Sequence, residues 1–100
     1  MTSAGEASRD PREVLMECRN AIEVIDRRLV ALLGQRVALG LRAAAAKHDA
    51  GLPLKDKARE AEVIERAVAE GRSHALSDKA VKKIFERIVE MCRRAQEDAR

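Results

Sequence analysis

The chain has 100 residues, enough for one domain near the lower end of the size that buries a single core. It is 46% hydrophobic and 37% charged, with one aromatic residue and a net charge of +3 spread over interleaved Lys, Arg, Asp and Glu. So mixed a charge, with no aromatics for base stacking, argues against nucleic acid, and the excess of Ala, Leu, Glu, Lys and Arg argues for helices over a sheet.

The first nine residues, MTSAGEASR, are small and polar and read as a disordered tail, which leaves residues 10–100 as one helical domain. Asp10-Pro11-Arg12-Glu13 is a helix start: Asp10 can cap, Pro11 suits the first helical position, and Glu13 can reach back in a capping box. From there Leu15, Cys18, Ile22, Ile25, Leu29, Leu32 and Leu33 recur at helical spacing, and no proline intervenes before Pro53. Gly34 and Gly40 each cost a helix about 1 kcal/mol against alanine, yet the apolar pattern continues through both. Gly51 and Pro53 stop it. A second helix is predicted from about Asp56, its N-cap, to Gly71, its C-terminal stop. A third begins after Ser77, carries Val81, Ile84, Phe85, Ile88, Val89 and Cys92 on one face, and reaches Gln96.

A first helix of close to forty residues would be about 55–60 Å long, whereas a compact domain of about 100 residues has a radius of gyration of about 13 Å. Two shorter helices cannot cover an apolar seam of that length. The all-α, three-helix chain with one very long N-terminal helix is therefore expected to form a homodimer, long helix against long helix. Cys18 and Cys92 show neither metal-ligand spacing nor a CxxC motif, which points to reduced thiols in a cytoplasm. No apolar run is expected to approach the length of a membrane span, and the opening residues do not read as a signal peptide.

Several polar residues fall where the apolar stripes lead. Arg36 and Lys47 are eleven apart, within about 20° of one helix face and about 16 Å along it, so two long side chains can converge on a ligand between them. Arg19 lies about 100° from Arg36 around the helix and cannot easily serve the same pocket in its own chain, though it can serve a partner's. Gln96 ends the row Phe85, Val89, Cys92, and Asp56 and Glu60 stand one turn apart on the second helix with Arg59 between them. Each has a plain structural reading. Long cations snorkel beside apolar seams, acidic residues suit a helix N-terminus, and polarity is ordinary near a chain end. His48 and His74 read as exposed helix-end or loop residues without a nucleophile or metal partner.

In combination, and in this order, the residues carry more. Arg19, the run "IDRRLVALLGQR" ending at Arg36, Lys47, "DKARE" from Asp56 to Glu60, and "CRRAQ" ending at Gln96 resemble the all-helical class of chorismate mutases, especially its small dimeric bacterial kind. The resemblance runs from about Leu15 to Gln96. It implies two entwined three-helix chains whose long helices each contribute to both active sites, with Arg19 crossing into the other subunit's pocket. Arg36 and Arg59 resemble carboxylate-binding residues, and Lys47 and Gln96 resemble donors to an ether oxygen. Glu60, with Asp56 nearby, resembles the acceptor for the ring hydroxyl. Cys92 stands where familiar members carry serine, and a thiol is the weaker donor to a ligand carboxylate.

The activity so implied is the unimolecular [3,3]-sigmatropic rearrangement of chorismate to prephenate, on the route to phenylalanine and tyrosine. It calls for no cofactor, no metal and no proton transfer. Three rival readings remain: a 4-amino-4-deoxychorismate mutase, for which Glu60 would face an amine; an isochorismate pyruvate-lyase, against which Glu60 and Asp56 argue; and a non-catalytic helical dimer, which leaves Gln96, Lys47 and Arg36 together unexplained. The length is expected to leave no room for a dehydratase, dehydrogenase or regulatory domain.

Overall fold

The computed structural model describes residues 9–99. Among them the chain forms three helices, α1 (Pro11–Asp49), α2 (Lys57–Arg72) and α3 (Asp78–Asp98), and no strand. Residues 1–8 of the expected tail lie outside the described residues. The chain divides into two compact units, Met1–Leu33 and Gly34–Arg100.

The first unit is the N-terminal part of α1. Asp10 caps it as predicted, its Oδ1 accepting from the Arg12 backbone N–H at 3.0 Å, and Arg9 pairs with Glu17 across the first turns. No residue of α1 is buried within the chain. Ile22, Ile25 and Leu29 are each more than half exposed, although their spacing marks one apolar face.

The second unit holds the rest of α1 and the α2–α3 hairpin. α1 continues through Gly34 and Gly40 without a break. It ends in a Schellman arrangement: the N–H of Leu52 reaches Lys47 O at 2.8 Å and that of Gly51 reaches His48 O at 3.1 Å. This reversal places Gly51 at φ 70°, a conformation glycine adopts without a Cβ penalty. Asp56 and Ser77 cap α2 and α3, accepting from the N–H groups of Arg59 and Ala80.

The C-terminus of α2 departs from the sequence reading. Gly71 is a helical residue, buried inside the last turn. The left-handed residue is Ala75, at φ 58°, where Leu76 N–H reaches back to Gly71 O at 3.0 Å. Gly71 serves contact: a Cβ there would lie 2.9 Å from Val81 Cγ2, and Val81 is, with Val89 and Cys92, one of three buried apolar side chains among the described residues. A glycine can mark a chain reversal or a close approach, and spacing along one helix does not distinguish the two.

The expectation about apolar runs also needs correction. α1 contains an 18-residue window of mean hydropathy 1.4, long and apolar enough to cross a membrane by length and composition alone. In the Leu- and Ala-rich stretch of α1 from Leu29 to Ala46 the charged residues are Arg36 and Arg42. A guanidinium at the centre of a bilayer costs about 2.5–3.5 kcal/mol, and Arg36 instead lines a polar cleft in the second unit.

Candidate functional site

The C-terminal part of α1, the start of α2 and the C-terminal part of α3 enclose a cleft of about 300 Å³. Seven of the eight predicted residues line it: Arg36 and Lys47 from α1, Asp56, Arg59 and Glu60 from the N-terminus of α2, and Cys92 and Gln96 from α3. The eighth, Arg19, is exposed and belongs to the first unit.

Each wall is held by local chemistry. The Gly51 reversal returns the chain so that Lys47 Nζ donates to the carbonyl of Leu54 at 3.3 Å. An ammonium has three donors, so this contact anchors Lys47 and leaves others for a ligand. Asp56 is occupied as the N-cap, its Oδ1 taking the Arg59 N–H at 3.0 Å. It shapes the start of α2 first, and its helix-dipole position accounts for its charge. Arg59 is exposed and donates to Glu62 Oε1 at 3.3 Å, a surface pair weak enough to yield to a ligand carboxylate.

The α1–α3 wall is joined by side chains of α3 that reach α1. Arg36 Nη1 donates to Cys92 Sγ at 3.0 Å, and Cys92 is only 4% exposed. In this state the thiol supports the arginine by accepting from it. Gln96 lies against a bare stretch of α1: a Cβ on Gly40 would come within 2.9 Å of its Nε2. Gly40 therefore provides the room in which the carboxamide stands beside the helix.

Three charged residues of the cleft, Lys55, Arg93 and Glu97, were missed by the sequence reading. Arg93 Nη1 lies 3.2 and 3.4 Å from the two carboxylate oxygens of Glu60, and Lys55 sits beside Asp56 in the lining. A signal for Arg93 existed, since it is four residues after Val89 and three before Gln96, on the face that carries both. The cleft is lined by the cations Arg36, Lys47, Lys55, Arg59 and Arg93 against the anions Asp56, Glu60 and Glu97, an excess of positive charge suited to a small anion. Both histidines lie outside it and pair with neighbouring acids, His48 with Asp49 and His74 with Glu70. Among the described residues no group of three or more His, Cys, Asp or Glu side chains is placed to hold a metal ion.

Comparison with known proteins identifies the family. The family "chorismate mutase type II" matches residues 18–97, most of the chain and every residue of the cleft. The chain belongs to the chorismate mutase type II family. Among curated proteins it is similar to the bifunctional chorismate mutase/prephenate dehydratase of Enterobacter agglomerans, 28% identical over 81 residues, covering 81% of this chain and 21% of that protein. The proteins of the same description from Escherichia coli K12 and Buchnera aphidicola subsp. Baizongia pistaciae are each 32% identical, over 76 and 79 residues. Those alignments cover 76% and 79% of this chain, and 20% and 21% of the relatives. The chain thus spans about one fifth of the length of the curated relatives it matches. The all-helical fold expected of this family is the fold observed, with the long helix first.

Proposed function

We propose that the chain is a chorismate mutase, converting chorismate to prephenate in the cleft between α1, α2 and α3. The observation that carries this reading is that Lys47 and Gln96, from different helices, line one small cleft with Arg36 and Glu60. That combination suits a dianion whose reaction develops negative charge at an ether oxygen, and it includes no nucleophile–base pair.

The rearrangement is unimolecular, so the work of the site is conformational and electrostatic. Arginines binding the two carboxylates hold the flexible substrate in a chair-like geometry, with the carbon atoms that will bond brought into reach. Arg36 takes one carboxylate, and Arg59 exchanges Glu62 for ligand. As the C–O bond lengthens, charge grows on the ether oxygen, and donors from Lys47 and Gln96 stabilise it more in the transition state than in the ground state. Glu60 accepts from the ring hydroxyl. No step requires a proton to leave or enter the protein.

The working unit is a homodimer in which Arg19 of one chain completes the cleft of the other. The exposed apolar face of α1 supports this reading, because Ile22, Ile25, Leu29 and Leu32 are each more than half exposed within the single chain. Complete burial of such a side chain contributes about 1.5–3 kcal/mol. Cys18 and Cys92 are free thiols, in keeping with a cytoplasmic site of action.

The direct test is incubation with purified chorismate, following its loss and identifying the product. Prephenate supports the assignment. Pyruvate release would instead indicate a lyase, and an unchanged substrate would leave the amino-substrate, isochorismate-lyase and non-catalytic readings, which the same assay on 4-amino-4-deoxychorismate and isochorismate separates.

A further inference from the structure

The Arg93–Glu60 pair bears on which substrate the cleft accepts. Glu60 opens α2 and Arg93 sits on α3, so their contact joins two walls of the cleft. Arg93 and Glu60 are partly withdrawn from solvent, at 34% and 26% exposure, and the guanidinium reaches both carboxylate oxygens. Arg93 has a second acidic neighbour, Glu97, with Nε to Oε1 at 3.9 Å. That contact is longer and its carboxylate is 56% exposed, so the pairing with Glu60 is the stronger claim on the cation.

We propose that Arg93 is a specificity-determining residue: by pairing with Glu60 it makes the cleft select a neutral ring hydroxyl over an ammonium. The proposal rests on the chorismate reading and extends it. A hydroxyl is both donor and acceptor. It can give its proton to a free lone pair of Glu60 and receive an N–H from Arg93, satisfying both members of the pair. An ammonium offers only donors. It would meet a carboxylate whose charge is already balanced and a guanidinium of its own sign, with nothing to accept from Arg93. An unpaired Glu60 would reverse this preference, since a bare carboxylate attracts an ammonium more strongly than a hydroxyl.

The test compares chorismate with 4-amino-4-deoxychorismate, which carries an amine in place of the ring hydroxyl. For the full chain and its Arg93→Gln, Arg93→Lys, Glu60→Gln and Glu60→Gln/Arg93→Gln variants, kcat/KM and calorimetric Kd are measured on both compounds. The wild-type protein is expected to favour chorismate. Arg93→Gln should lower the chorismate-to-amine ratio by about tenfold or more, the equivalent of one tenfold step in affinity. Arg93→Lys keeps the charge and should retain most of the preference, which a purely structural role would not predict. In the Glu60→Gln background, Arg93→Gln should no longer raise relative acceptance of the amine, because no carboxylate is left to unmask. An unchanged ratio in folded Arg93→Gln, with chorismate still converted, overturns this inference and leaves the mutase assignment standing. If the wild type converts neither compound, the mutase assignment falls, and the ratio of the two Kd values still decides whether Arg93 selects against the amine.

Discussion

Arg36 on α1 donates through Nη1 to the sulfur of Cys92 on α3 at 3.0 Å, across 56 positions of sequence. The pair fixes the guanidinium on one wall of the cleft by means of a nearly buried thiol on another. Cys92→Ser should keep an acceptor at this place and preserve KM, and its hydroxyl can also donate to ligand. Cys92→Ala removes the acceptor, and the net worth of a hydrogen bond of this kind to a charged group, about 1.5–3 kcal/mol at most, bounds the effect at roughly a hundredfold in KM. Steady-state kinetics on the two variants checks this. Equal KM for alanine and serine would show that the sulfur does not position Arg36.

Lys47 and Gln96 are expected to act on the transition state. Loss of one preorganised donor costs about 10²–10³ in rate, and Lys47→Ala should lose at least that much because a charged donor is the stronger. Gln96→Ala should lose somewhat less. Circular dichroism should show both variants folded, with the loss in kcat. Full activity on chorismate in Lys47→Ala would remove the lysine from the mechanism.

Arg19 and Arg36 are expected to serve one cleft from different chains. Arg19→Ala and Arg36→Ala should each be nearly inactive alone, whereas refolding them together should restore activity through heterodimers with one intact cleft. Sedimentation at micromolar concentration should give about twice the chain mass. An active monomer, or well-folded heterodimers without activity, would contradict the shared site.

Stability at the α2–α3 junction should respond in opposite directions to two neighbouring substitutions. Gly71→Ala drives a methyl group into Val81, a stiff β-branched side chain, and should destabilise by about 1–3 kcal/mol. Ala75→Gly relieves a left-handed φ but loosens the unfolded chain, for a net gain of no more than about 1 kcal/mol. Thermal or urea denaturation measures both. A melting point raised by Gly71→Ala would mean that the junction has room the observed contact denies.

The same junction should weaken in acid. Arg72 donates three charge-assisted hydrogen bonds to Asp78, two from Nε and one from Nη2, and this contact holds the Asp78 carboxyl below the usual aspartate range despite some desolvation. A carboxyl with a lower pKa in the folded than in the unfolded state contributes stability that is present above the unfolded value and is lost as pH falls through the folded one. The stability difference between wild type and Asp78→Asn should therefore be larger at neutral pH and shrink below about pH 4. A difference constant with pH would show that the pair contributes nothing through ionisation.

The elements and the chemistry at their ends were legible in the amino-acid sequence. Asp10, Asp56 and Ser77 act as the predicted caps, Gly51 turns the chain at φ 70°, and α1 runs through Gly34 and Gly40. Those features depend on a residue and its neighbours within about one turn, which is the range over which helical spacing and capping operate. The convergence of Arg36 and Lys47 on one face was legible for the same reason, and the order of charged residues along three helices pointed to the family. The contacts between helices were not legible there and emerge from the packing. Glu60 meets Arg93 across 33 positions, Lys47 finds the carbonyl of Leu54 rather than a side chain, and Gln96 stands over the bare backbone of Gly40. Gly71 likewise proved to be a point of close approach, because the partner that needs the space, Val81, lies on the next helix. Periodicity tells which face of a helix a residue occupies. The residue it meets depends on how far each helix is shifted and turned against its neighbour, and packing of whole side-chain surfaces sets that.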